Sequence, residues 1–190
     1  MRMKSIFLLS IAAVLAASIA MAKEPAGDPM AGMPMGAPPE MKSLEFLVGT
    51  WDVNAKMKMT PADTNWMVSK ATCTYSYLLD GCVMQMDYAG PMMGMNFHGM
   101  GFHSYNRFTS KWQVVWSDNM MGTLSNYEGT KKDGVTVVEG IETMMGMTFQ
   151  VRMTTFNEKP TSFDWKSEQS MDGGTTWFEN MNAHYTKRAK

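Results

Sequence analysis

The sequence predicts an all-β fold: an antiparallel up-and-down barrel of about ten strands, with a short N-terminal helix closing one end. Three observations carry that expectation. From Thr50 onward the apolar residues recur with period two, as on a strand with one buried and one wet face. Runs of this kind then follow one another at regular intervals, separated by turn residues. Between them no segment keeps a helical period. Composition fits, because 45% hydrophobic and 18% charged residues describe a globular chain and exclude wholesale disorder. The net charge of −1 lacks the basic excess of a nucleic-acid binder.

At the amino terminus, Arg2 and Lys4 form a basic region, 6–20 is an uncharged apolar run, and Ala20-Met21-Ala22 is a cleavage pattern. Residues 1–22 therefore read as a secretory signal peptide. The apolar run is too short for a spanning helix, and no other stretch is long enough to span. The expected product is soluble and exported, either periplasmic or secreted. Residues 23–40 are rich in Pro, Gly, Ala and Met without periodicity and read as a flexible tail. The barrel domain is expected over 41–190. Its first element is a short helix placing Met41, Leu44 and Leu47 on one stripe.

The first strand alternates Trp51, Val53, Ala55, Met57 and Met59 with polar residues. Nine more strands are expected near 66–77, 82–89, 95–105, 111–117, 123–129, 135–142, 147–156, 162–169 and 176–187, each rich in β-branched or aromatic residues. A meander that closes on itself removes exposed edges, so a barrel is its simplest outcome. Cys73 and Cys82, the only cysteines, would pair by default in an oxidising compartment. Against that, a tight Asp80-Gly81 hairpin opposes Leu79 to Cys82 and leaves Cys73 beyond disulfide reach. A wider loop would bring them together, so both states stay open.

Leu47-Val48-Gly49-Thr50-Trp51 resembles the G-x-W motif that opens the first strand of lipocalins and other calycins. The resemblance implies that Gly49 and Trp51 mark the closed end. It also implies that a basic residue of the last strand, Lys187 or Arg188, covers the indole, a reasonable cation–π contact. The stretch from Met41 to Arg188 is also similar to a bacterial calycin-like domain of unknown function, number fifteen-seventy-nine. The residues that carry this are the L-x-G-x-W pattern, the Leu79-Asp80-Gly81 hairpin, Trp116-Ser117-Asp118 and the aromatic–basic end. It implies the barrel and no activity.

Topology gives the 24 methionines an address. Connections after even-numbered strands share an end with Trp51 and contain no methionine. Those after odd-numbered strands hold Met92, Met93 and Met95, then Met120 and Met121, then Met144, Met145 and Met147, and finally Met171. Met57 and Met59 approach the first of them. A methionine-ringed mouth suits a small, apolar ligand, because thioethers are flexible and polarizable. Trp112 and Trp116, with Met57 and Met59, are the candidate cavity walls. The alternative is soft-metal binding, Cu(I) or Ag(I), by those loop methionines together with His98 and Met100, which share a strand face.

Haem is the third reading, from His184, since haem-binding calycin relatives such as nitrobindins use a histidine near the carboxyl end. The Gly-rich first strand of those proteins has no counterpart here. No catalytic motif is present, so an enzyme is not the expectation. The expected function is non-enzymatic binding of a small molecule or soft metal, without a nucleic-acid partner.

Overall fold

A computed structural model describes residues 32–144 and 146–189. The signal peptide expected at 1–22 and the start of the tail lie outside the described residues. Residues from Met35 onward form one compact unit. After a 3-10 helix, Pro39–Leu47, come ten strands. They are β1 (Gly49–Met57), β2 (Met67–Leu78), β3 (Val83–Met92), β4 (Met95–Asn106), β5 (Lys111–Asp118), β6 (Ser125–Lys132), β7 (Val135–Met144), β8 (Met147–Lys159), β9 (Ser162–Ser170) and β10 (Phe178–Lys187). Each pairs with the next, and β1 pairs antiparallel with β10, so the sheet is a closed up-and-down barrel. Closure leaves no free edge for another chain to extend. Among the described residues, no helix is long and apolar enough to cross a membrane.

The segment before β1 is a 3-10 helix rather than an α-helix, and its sequence explains why. Met41, Leu44 and Leu47, its buried residues, recur every three positions, which suits three residues per turn. The helix plugs one barrel end, and its carbonyls find partners there. Trp51 Nε1 donates to Leu47 O at 2.6 Å, Lys187 Nζ to Phe46 O at 2.6 Å and Tyr77 Oη to Met41 O at 2.5 Å. The bonds to Phe46 and Leu47 satisfy carbonyls that the last turn of a helix leaves open, and Tyr77 ties the first turn to β2. Trp51 is fully buried, edge-on to Phe46 and Phe163.

The cation over Trp51 is Lys187, with Nζ 5.3 Å from the ring centroid, and not Arg188. Trp51 and Lys187 are register partners, so both face inward. Arg188 is one residue further, faces out, and binds Asp52 Oδ1 through Nη2 at 2.6 Å.

The β2–β3 connection also differs from a two-residue hairpin. Leu79, Asp80 and Gly81 all have positive φ, and the last paired residues are Leu78 and Val83. Cys73 is opposite Tyr88, five residues down β2 from Leu78, while Cys82 belongs to the turn. Five residues of strand span roughly 17 Å, and both cysteines are free. The disulfide is not formed.

Candidate functional site

The plugged end fixes which loops are where. Turns between β2 and β3, β4 and β5, β6 and β7, and β8 and β9 lie at the plugged end. The connections β1–β2, β3–β4, β5–β6, β7–β8 and β9–β10 surround the opposite, open end.

The open half is lined by aromatic side chains laid against glycines. An ideal Cβ on Gly99 would sit 2.1 Å from Trp116 Cζ2, and one on Gly101 would sit 3.3 Å from Cε3. Trp116 therefore lies along the β4 wall, where only glycine admits it. Phe97 stacks on Trp116 with centroids 6.3 Å apart, and Tyr88 meets both rings edge-on at 5.8 and 6.5 Å. At Gly140 a Cβ would meet the Asn126 carbonyl oxygen at 2.3 Å and the Tyr127 ring at 2.7 Å, so glycine there admits both the β6 backbone and that ring.

Polar groups are set among these rings. Trp116 Nε1 donates to Asp118 Oδ2 at 2.9 Å, and Tyr127 Oη donates to Glu142. Burial beside Glu142 pushes the Tyr127 phenol up. Asp118 also accepts from the backbone N–H groups of Met120 and Met121, which shapes the β5–β6 turn. Deeper in the barrel stand Cys73, Tyr75, Tyr185 and His103. Tyr185 stacks on Phe163 at 4.2 Å, and Tyr75 approaches both Phe163 and His103 at 6.4 Å. Burial drives the Cys73 thiol and the Tyr88 phenol up to about 12. It drives the His103 imidazole down to about 4, so that ring is neutral at pH 7. Tyr88 Oη, His103 Nε2 and Asn180 Oδ1 are buried without a hydrogen-bond partner. Such atoms are uncommon and need an explanation.

Methionines frame the entrance. Register pairs Met57 with both Met67 and Met181, Met92 with Met95, and Met144 with Met147. All seven share the inward phase of their strands. Met92 is buried, and Met57, Met144 and Met181 pack half-buried against the core. Their partners Met67, Met95 and Met147 are exposed. Met93, Met120 and Met121 sit exposed in turns, and Met145 is outside the described residues.

The expected residues are thus brought together only in part. Trp116 and Met57 line the open half. Trp112 faces inward too, but at the plugged half, edge-on to Tyr105 at 5.3 Å. Met59 lies beyond β1 in an exposed connection, where its N–H binds Asp63 Oδ2 at 2.9 Å. His98 and Met100 do share a face, but it is the outer one. His98 Nε2 is 3.1 Å from Asp87 Oδ1, and Asp87 is the register partner of Met100. They cannot join the inward methionines. His184 is likewise exposed, with Nδ1 2.7 Å from Asp164 Oδ1, so it offers no ligand to a haem inside the barrel.

The sequence reading did not single out Tyr88, Phe97, Tyr127, Glu142 or the interior place of His103. The signal was available in β4, where Phe97, Gly99, Gly101 and His103 alternate with outward residues. Two depressions lie on the outer face of the barrel. One of about 400 Å³ is lined by Val83, Phe102, Val115 and Glu128 among others, and a shallower one beside it includes Cys82 and Phe108. Inside the barrel the inward side chains, Trp51, Tyr75, Phe97, Phe163 and Tyr185 among them, pack into one hydrophobic cluster.

A family model described as "Protein of unknown function (DUF1579)" matches residues 37–187. No curated protein matches the sequence. The crystal structure of Rv2717c from M. tuberculosis is similar with a TM-score of 0.60 at 9% identity, covering 80% of this chain and 99% of that one. The S-type phycobiliprotein lyase CPES from Guillardia theta is similar with a TM-score of 0.54 at 9% identity, covering 78% and 92%. At such identity the likeness is one of fold.

Proposed function

The chain belongs to the DUF1579 family of calycin-like barrels, and from that premise we propose that it is an exported, non-enzymatic protein that binds a small, mainly apolar ligand through the methionine-bordered end. One observation carries the reading. The open half combines a wall of aromatic rings with an inward rim of thioethers, while the other end is sealed by a helix, an indole and a lysine. Barrel width grows with strand number, and eight strands already suffice either to be filled or to hold one small ligand. Ten strands give more room, here taken up by large aromatics.

Ligand entry then requires side chains to yield. Methionine is suited to that, having three rotatable bonds and a polarizable sulfur. Binding of a flat apolar guest exchanges contacts among Met57, Met92, Met144 and Met181 for contacts with the guest, and the closed end stays intact. The amino-terminal signal read at 1–22 supports export.

The test is a fluorescence titration with 1-aminoanthracene. Saturable binding at one site per chain is expected, weakened several-fold when Gly99→Ala displaces Trp116. Fluorescence rising without saturation would contradict the proposal.

A second reading has one specific observation in its favour. Cross-strand pairing puts methionines next to one another at Met57–Met67, Met57–Met181, Met92–Met95 and Met144–Met147. Neighbouring thioethers are soft donors that favour Cu(I). Competition for Cu(I) against a chromogenic chelator tests it, using the seven rim methionines changed to leucine. Unchanged stoichiometry would dismiss the metal, and leucine should spare the apolar guest.

A further inference from the structure

The interior is not uniformly apolar, and its polar atoms constrain what the proposed ligand can be. Tyr88 and His103 both lie on inward phases of the β3–β4 hairpin, opposite Gly99 and Met84 respectively. His103 Nε2 ends buried without a protein partner, and Tyr88 Oη has only the nearby Ser69 hydroxyl, outside regular hydrogen-bond geometry. A phenol hydroxyl and a neutral imidazole nitrogen each donate or accept, so each suits a hydroxyl or carbonyl oxygen. Leaving them unpaired in a low-dielectric interior is unfavourable, and a guest that pairs them recovers that loss. The rings around Tyr88, namely Phe97 and Trp116, favour a planar aromatic body.

Charge narrows the class further. Among the described strand residues the acidic groups on the inward phase are Asp118 and Glu142, both in the open half. The inward cations among the described strand residues are Lys131 and Lys187, both at the plugged end. Lys131 is held by Glu158 at 2.6 Å, and Lys187 by Trp51 and the Phe46 carbonyl. A carboxylate entering the open half would meet like charge with no inward strand cation to receive it, and Lys58 in the β1–β2 connection lies over Trp66 at 4.6 Å.

We propose that the ligand is an uncharged aromatic molecule bearing a hydroxyl or carbonyl group. Tyr88 Oη or His103 Nε2 hydrogen-bonds that group inside the barrel, while Asp118 and Glu142 turn carboxylates away. This rests on the ligand-binding reading above and names its chemical class.

Calorimetric titration of the protein at pH 7 with naphthalene, 2-naphthol and 2-naphthoate tests it. These probes share one ring system and differ in the group that matters. The expected order is 2-naphthol tightest, by about tenfold over naphthalene for one hydrogen bond gained, with 2-naphthoate weakest. Tyr88→Phe combined with His103→Phe should abolish the preference, so that 2-naphthol and naphthalene bind the variant equally, and an unchanged thermal melt of the Tyr88→Phe single variant shows that the barrel survives. Equal binding of 2-naphthol and naphthalene by the unaltered protein would overturn the proposal. So would a hydroxyl preference that persists in the double variant, since the two atoms would then hold water only. Tighter binding of 2-naphthoate would overturn the exclusion of acids. Binding of naphthalene alone would keep the ligand-binding reading and sink this one, whereas binding of none would sink both.

Discussion

His103 is the residue whose environment has the most readable consequence. Its imidazole is neutral in the folded chain because burial lowers its pKa from 6.5 to about 4. The unfolded chain takes up the proton first, so the folded state loses stability as pH falls. The sign gives a flat region above about pH 6.5 and a decline from there towards pH 4. A shift of that size corresponds to about 3 kcal/mol in order of magnitude. Thermal melts from pH 7.5 to 4.5 should show this acid limb, and His103→Phe should flatten it. A limb of equal depth in the variant would contradict the placement. Tyr88 gives a second residue-scale expectation. Its buried hydroxyl has only the nearby Ser69 hydroxyl beside it, outside regular hydrogen-bond geometry, and a poorly paired buried group costs about 1 kcal/mol or more. Ligand-free Tyr88→Phe should therefore melt at or above the parent protein, not several degrees below it.

At the scale of elements, the plugged end and the β4–β5 wall make separable predictions. Lys187 bridges β10 to the 3-10 helix, with its ammonium over Trp51 and on the Phe46 carbonyl. Lys187→Met should cost about 1–2 kcal/mol in a urea melt, by loss of a cation–π contact and a charged hydrogen bond. Arg188→Met, which removes an exposed pair with Asp52, should leave the midpoint unchanged. Gly99→Ala drives a methyl into Trp116 and should cost about 1–3 kcal/mol, with a shifted tryptophan emission.

Sequence made these elements visible unequally. Period-two alternation defined the strands, because a sheet with one buried face must alternate. The choice between Lys187 and Arg188 was not open to sequence. It depends on which one pairs with Trp51, and register is a property of two strands together. The 3-10 form of the first helix was written in the three-residue spacing of Met41, Leu44 and Leu47, though a short α-helix also accepts it.

For the whole molecule, closure is what turned a compositional excess into a place. A barrel sends alternate connections to opposite ends, so the methionine-bearing turns gather at the end away from Trp51. The site was less legible than the fold. Trp116 and Met57 were recognisable, but the contacts of Tyr88 with Phe97 and of Tyr127 with Glu142 depend on the register of paired strands. His98, Met100 and His184 carried attractive chemistry and fell on the outer face, where Asp87 and Asp164 engage the two histidines.

The central claim is that a small apolar guest enters at the methionine rim. Methionine methyl NMR, with 1-aminoanthracene added to protein carrying 13C-methyl methionine, tests it most directly. Met57, Met92, Met144 and Met181 should shift on binding, while Met41 and Met84, fully buried towards the plugged end, stay in place. Binding accompanied by unmoved rim methyls would place the guest elsewhere, in the outer depressions along Val83 and Phe102, and would contradict the account.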